Sequence, residues 1–240
     1  MSHTSKIHDL FKVLAAFSAA QLIGIVLIHL LRGLFDAYWY NILLNAVCVL
    51  GANVAAFVII CGRGKLPEKS KGFAPWELSA WLFAAVFLSC LAGYLTRLIG
   101  AQQTISIMPK GADLALYALY TVILSPLAEE IAFRGAALAR LRRSFEGYSA
   151  ALISAALFAA YHMSLAQLPY TFALGFCLAI TAQRCGSIIP CIVIHALNNL
   201  LTLAVSLSDT AAAITDIALP ILGSAAIVAI IVGKKYKLSK

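Results

Sequence analysis

The sequence predicts an all-α protein, a polytopic transmembrane helix bundle of about eight spans that forms one domain over residues 1–240. Three observations predict it. Hydrophobic residues make up 62% of the chain and charged residues 12%, whereas a soluble domain is roughly 25% charged. The apolar residues fall in runs close to the ~20 residues that cross a bilayer. The basic residues collect on one side of those runs, as orientation signals do. The formal charge of +8 is therefore a matter of topology, and no nucleic-acid partner is expected.

The runs lie at 13–31, 41–61, 77–99, 114–133, 148–165, 168–183, 188–207 and 211–232. The first follows Lys6 and Lys12 and exceeds the 7–15-residue apolar core of a signal peptide, so it is expected as a retained span. The fourth runs on as helix towards Arg143, and a tight turn at 144–147 leads into the fifth. The fifth and sixth are the shortest, with a weak break at 166–169, so a seven-span arrangement with a re-entrant segment is the alternative. With eight spans and both termini cytoplasmic, 14 basic residues face inward and 3 (Arg32, Arg97, Lys110) face outward, with Arg134 left inside the membrane. A compact chain with short loops points to a bacterial plasma membrane. Cys48, Cys61, Cys90, Cys177, Cys185 and Cys191 lie in or beside apolar runs without CxxC spacing, which suits small buried residues rather than disulfides or a thiolate metal site.

A few polar residues break the runs. Glu129, Glu130 and Arg134 lie within the fourth, His162 closes Leu157-Phe-Ala-Ala-Tyr-His162, and His195 and Asn199 interrupt the seventh. An ionisable group at membrane depth costs ~2.5–3.5 kcal/mol on insertion scales, so such residues are functional candidates. Glu130 and Arg134 are spaced i,i+4 and share a face, which makes them a structural ion pair. Glu129 points about 100° away and is left to meet another helix. Two carboxylates in a dry site do not both ionise cheaply; the arginine would hold Glu130 charged, and Glu129 becomes the candidate base.

Depth groups the rest. Glu129 lies 14 residues before Arg143, His162 14 after Tyr148, and Asn199 14 after Cys185. Each is then about 21 Å above its turn at 1.5 Å per residue. His195 and Asn199, again i,i+4, share one face. A plain structural role accounts for each residue singly, as a registry pair or as interhelical hydrogen bonds. It accounts poorly for all of them at one level.

A carboxylate facing an imidazole can activate water, and a His and an Asn on one face can stabilise an oxyanion. These parts describe hydrolysis of a carbonyl compound, with a membrane-buried amide as the target. No Gly-x-Ser-x-Gly elbow is present, which disfavours a covalent mechanism. In the metal-free version no cofactor is required. In the alternative, Glu129, His162 and His195 hold Zn2+ with water in the fourth position, although His-Glu-x-x-His is absent.

Glu129-Glu130-x-x-x-Arg134, Phe158-x-x-x-His162 and His195-x-x-x-Asn199, in this order, resemble the CPBP family of CAAX-prenyl-protease and bacteriocin-processing membrane proteins, also called abortive-infection proteins and described as intramembrane metalloproteases. The similarity covers a catalytic core of about 114–205. The resemblance implies an eight-helix intramembrane endopeptidase of the type II CAAX kind, with lipid around it and a peptide or prenylated protein as substrate. It also implies that Glu129 and His162 activate water, that His195 and Asn199 stabilise the oxyanion, and that Phe158 packs beneath the histidine. Two other classes compete. Intramembrane Glu, Arg and His also mark a proton-coupled transporter or channel, but no inverted repeat with matched broken helices is visible. A non-catalytic scaffold or immunity protein would keep the same residues as structure.

Overall fold

The computed structural model describes residues 3–31, 38–62, 66, 79–87, 91 and 110–207. Among them the chain is helix and turn, with no strand. The helices are α1 (His3–Leu31), α2 (Tyr38–Cys61), α3 (79–87), α4 (running from Ala112 to Leu141), α5 (Gly147–Tyr161), α6 (Leu168–Cys185) and α7 (Ile189–Leu207). The expected run at 211–232, most of 77–99 and the loop at 97–109 lie outside the described residues.

Thr4–Leu31, Asp113–Leu141 and Ile189–Leu207 are long and apolar enough to cross a bilayer. With these spans the protein is an integral membrane protein. Leu22, Ile25, Val26, Ile28 and Leu30 of α1 are exposed, as befits a helix that is apolar all round and faces lipid. The runs at 148–165 and 168–183 form two separate helices joined by a turn at 162–167 in which Met163 takes a left-handed φ of 49°. α5 has 15 residues, about 22 Å of helix, so it is shorter than the ~30 Å hydrocarbon core.

The core is built from small residues and a few rings. Ala132, Ala136 and Ala137 of α4, Ala150, Ala151 and Ala155 of α5, and Ala179 and Ala182 of α6 are all buried, and residues of this size let membrane helices approach closely. Phe133 centres the aromatic contacts, with ring centroids 5.0 Å from Phe57, 5.2 Å from Phe158 and 5.4 Å from Tyr161. α5 and α6 press together at Gly175, where a Cβ would stand 3.0 Å from Phe158 Cδ1 and 3.4 Å from the Ala155 Cα. At the end of the bundle holding the α4–α5 turn, Asp9 accepts from Arg140 Nε at 2.6 Å and from Ser144 Oγ at 2.5 Å. Arg140 also donates to the Cys61 carbonyl at 3.5 Å, so one cluster ties α1, α2 and α4. Cys61, Cys177 and Cys191 are buried and Cys48 and Cys185 half-buried, and none of these five is in a disulfide; Cys90 lies outside the described residues.

Candidate active site

The site begins with how α4 is wound. The spacing expected a plain α-helix, but Leu119–Leu124 and Ile131–Leu138 are π-helical and enclose the α-helical turn Ser125–Glu130. Such wide turns are rare and concentrate at functional sites. In the first, the Ser125 N–H reaches the Tyr120 carbonyl, five residues back. The next bond of that pattern would run from residue 126 to the Thr121 carbonyl, and Pro126 has no N–H to give. Asn199 of α7 supplies the donor instead, its Nδ2 reaching the Thr121 carbonyl at 2.9 Å. A proline on one helix thus explains an asparagine on another. Pro190, by contrast, is the second residue of α7, where no N–H is needed and no bend results.

This exchange is testable by unfolding in detergent. Asn199→Ala is expected to cost about 1 kcal/mol, the low end of the penalty for an unsatisfied acceptor, because the bond is part-buried. In a Pro126→Ala background, where the backbone regains a donor, the cost should shrink. An equal cost in both backgrounds would remove Pro126 from the explanation.

Glu129 and Glu130 sit on the short α-turn with different surroundings. Glu130 is fully buried. Its Oε1 accepts from Arg134 Nη1 at 3.0 Å and from His195 Nδ1 at 2.9 Å. Arg134, also fully buried, donates through Nη2 to the Gly175 carbonyl at 3.1 Å, and its guanidinium carbon stands 4.5 Å from the Phe158 ring centroid. The pair therefore joins α4 to α5, α6 and α7, and the close packing at Gly175 is what brings that carbonyl to the arginine. A carboxylate can only accept, so His195 Nδ1 carries the hydrogen and Nε2 is the atom left for other work.

Nε2 faces Glu129 Oε2 at 3.8 Å, too long for a direct hydrogen bond. Glu129 Oε1 accepts from the Ser125 hydroxyl, while Oε2 is buried with no hydrogen-bond partner among the described residues. His162 caps α5 and is held by its own helix, Nδ1–H donating to the Phe158 carbonyl at 2.9 Å with its ring edge-on to Phe158 at 4.9 Å.

Glu129, His162, His195 and Asn199 line one cavity of about 220 Å3. Glu130 and Arg134 lie behind it, reaching it through His195. Several residues of the cavity were not singled out from sequence. Tyr117, Thr121 and Ser125 precede Glu129 at four-residue steps and line it together. That step drifts about 40° on an α-helix of 3.6 residues per turn, and the wide turn at Leu119–Leu124 takes up part of the drift. Asn198, Thr202 and Ser206 extend the His195–Asn199 face at helical spacing, and α6 adds Tyr170 and Thr171. The signal was present as hydroxyl and amide residues in register with the candidates, but each is common in a membrane helix and none is costly there by itself.

A zinc ion would need Glu129, His162 and His195 to converge. Among the described residues no group of three His, Cys, Asp or Glu side chains is arranged to hold a metal ion. In this conformation the three side chains do not fit that role.

Residues 111–201, less than half of the 240-residue chain but including all six of these positions, match the family model described as type II CAAX prenyl endopeptidase Rce1-like. No curated protein and no solved structure matches the chain.

Proposed function

From the premise that residues 111–201 are an Rce1-like module, of a protease family, we propose that this membrane protein hydrolyses a peptide bond within the bilayer by direct activation of water. The observation that carries the reading is the unpartnered, buried Oε2 of Glu129 facing an imidazole whose other nitrogen is held by Glu130. A water bound at Oε2 would lose its proton to Glu129 as it attacks the carbonyl carbon, with His162 orienting it from α5. General base catalysis of this kind contributes about 10²–10⁴-fold.

The oxyanion falls to α7. Asn199 spends one amide hydrogen on the Thr121 carbonyl, and its second is available to the developing charge. His195 Nε2 exchanges a proton with Glu129 or with the reacting peptide, and the proton held by Glu129 passes to the leaving nitrogen as the C–N bond breaks. Ser125 fixes one oxygen of Glu129 and so aims the other. Glu130 and Arg134 hold the His195 ring and take no proton.

A second reading keeps one observation in its favour: Glu129, His195, Glu130 and Arg134 form a buried row of ionisable groups, with a 3.8 Å gap between Glu129 and His195, as proton relays do. The test is cleavage by purified, reconstituted protein of a quenched prenylated CAAX peptide and of unprenylated transmembrane peptides, with and without chelator. The expected result is cleavage that survives the chelator and disappears in Glu129→Ala. Loss on chelation would return the zinc alternative. No cleavage, together with Glu129-dependent proton flux in liposomes, would favour the transporter.

A further inference from the structure

Among the described residues, those lining the cavity run towards one end of the bundle. On α4 its lining runs from Glu129 back towards the helix start, through Ser125 and Thr121 to Tyr117, and on α7 it runs from His195 forward to Ser206. His162 and Tyr170 flank the α5–α6 turn at that same end. The opposite end carries the turns at 142–146 and 186–188 and the start of α1, which the Ser144 hydroxyl bonds at the Ser5 carbonyl.

Charge separates the two ends. Lys6, Lys12, Arg140, Arg142, Arg143 and Arg184 all belong to the end away from the cavity; among the described residues Lys110 is the Lys or Arg at the cavity's end, and Arg134 lies between the two ends at membrane depth. Lys and Arg in short loops near span ends mark the cytoplasmic side. We propose that the cavity opens away from the cytoplasm and that the substrate is a peptide segment presented from the extracytoplasmic half of the membrane, from an exported or membrane-inserted polypeptide, rather than a cytosolic C-terminus. The proposal rests on the protease reading of this cavity. Its lining suits that substrate: Tyr170 and Asn198 offer a hydroxyl and an amide to the backbone of an extended chain, and the Thr121 and Thr202 hydroxyls, which donate to carbonyls of their own helices, are left to accept from it. At about 220 Å3 the space is below the ~300–1,000 Å3 of a drug-sized pocket, so a short strip of chain fills it.

Sidedness can be measured without activity. Ser206→Cys, at the mouth, and Arg143→Cys, at the basic end, are each treated with a membrane-impermeant maleimide in intact cells and in inverted membrane vesicles, the wild type giving the baseline from native cysteines. Ser206→Cys should be labelled several-fold above wild type in intact cells, and Arg143→Cys in inverted vesicles. The reverse pattern, or labelling of Ser206→Cys equally from both sides, overturns the proposal. A second arm supplies a quenched unprenylated transmembrane peptide to each preparation, and cleavage should be faster with intact cells. Cleavage confined to the cytoplasmic face sinks the proposal while sparing the protease reading. Outward labelling with no cleavage of any peptide leaves the cavity facing outward but removes its substrate, and with it both readings.

Discussion

Glu129→Gln is expected to slow peptide cleavage by about 10²–10⁴-fold, the contribution of a positioned general base. The amide keeps the size of the side chain and an oxygen for Ser125, so the folded protein should persist; only the proton acceptor facing His195 is lost. The effect should fall on kcat with little change in KM, because the lost interaction belongs to the transition state. His195→Ala should be similarly slow. Since Glu129 and His195 face each other across one 3.8 Å gap, the double variant should be hardly slower than the slower single, as for residues that act as a unit. Steady-state kinetics on the reconstituted protein, with unfolding midpoints of each variant, gives the answer. A Glu129→Gln enzyme with most of its activity would end the proposed mechanism.

The second large effect is on stability. Arg134→Met should cost about 3–5 kcal/mol, because removing one partner of a buried pair strands the other charge. Glu130 is fully buried and Arg134 is one of its two partners. Adding Glu130→Gln to Arg134→Met should recover part of the loss, since the carboxylate no longer needs a counter-charge. Unfolding in detergent across the four members of the cycle reads this coupling directly. Independent, additive costs would mean that the pair does not hold α4, α5, α6 and α7 together.

The chain announces its class because bilayers admit few solutions. A membrane interior offers no water to backbone groups, so long apolar runs must be helices, and ionisable residues inside them are too costly to be incidental. Local spacing went further: i,i+4 separations put Glu130 beside Arg134 and His195 beside Asn199 on their own helices. Equal distances from three turns pointed to one depth, and Glu129, His162 and Asn199 do share a cavity.

What spacing could not supply was the pairing across helices, which depends on helix rotation to within a fraction of a turn. Single-sequence periodicity assumes 3.6 residues per turn, and α4 departs from that on both sides of its carboxylates. So His195, read as an oxyanion donor, spans Glu129 and Glu130, and Asn199 is engaged by a carbonyl that Pro126 leaves without a partner. The amino-acid sequence by itself determined a helical membrane protein and the few polar residues worth attention, because burial costs act on each residue where it stands. Only the tertiary structure decided which of those atoms face one another and at which end the cavity opens, because α-to-π winding, the approach at Gly175 and the packing of four helices set those distances jointly.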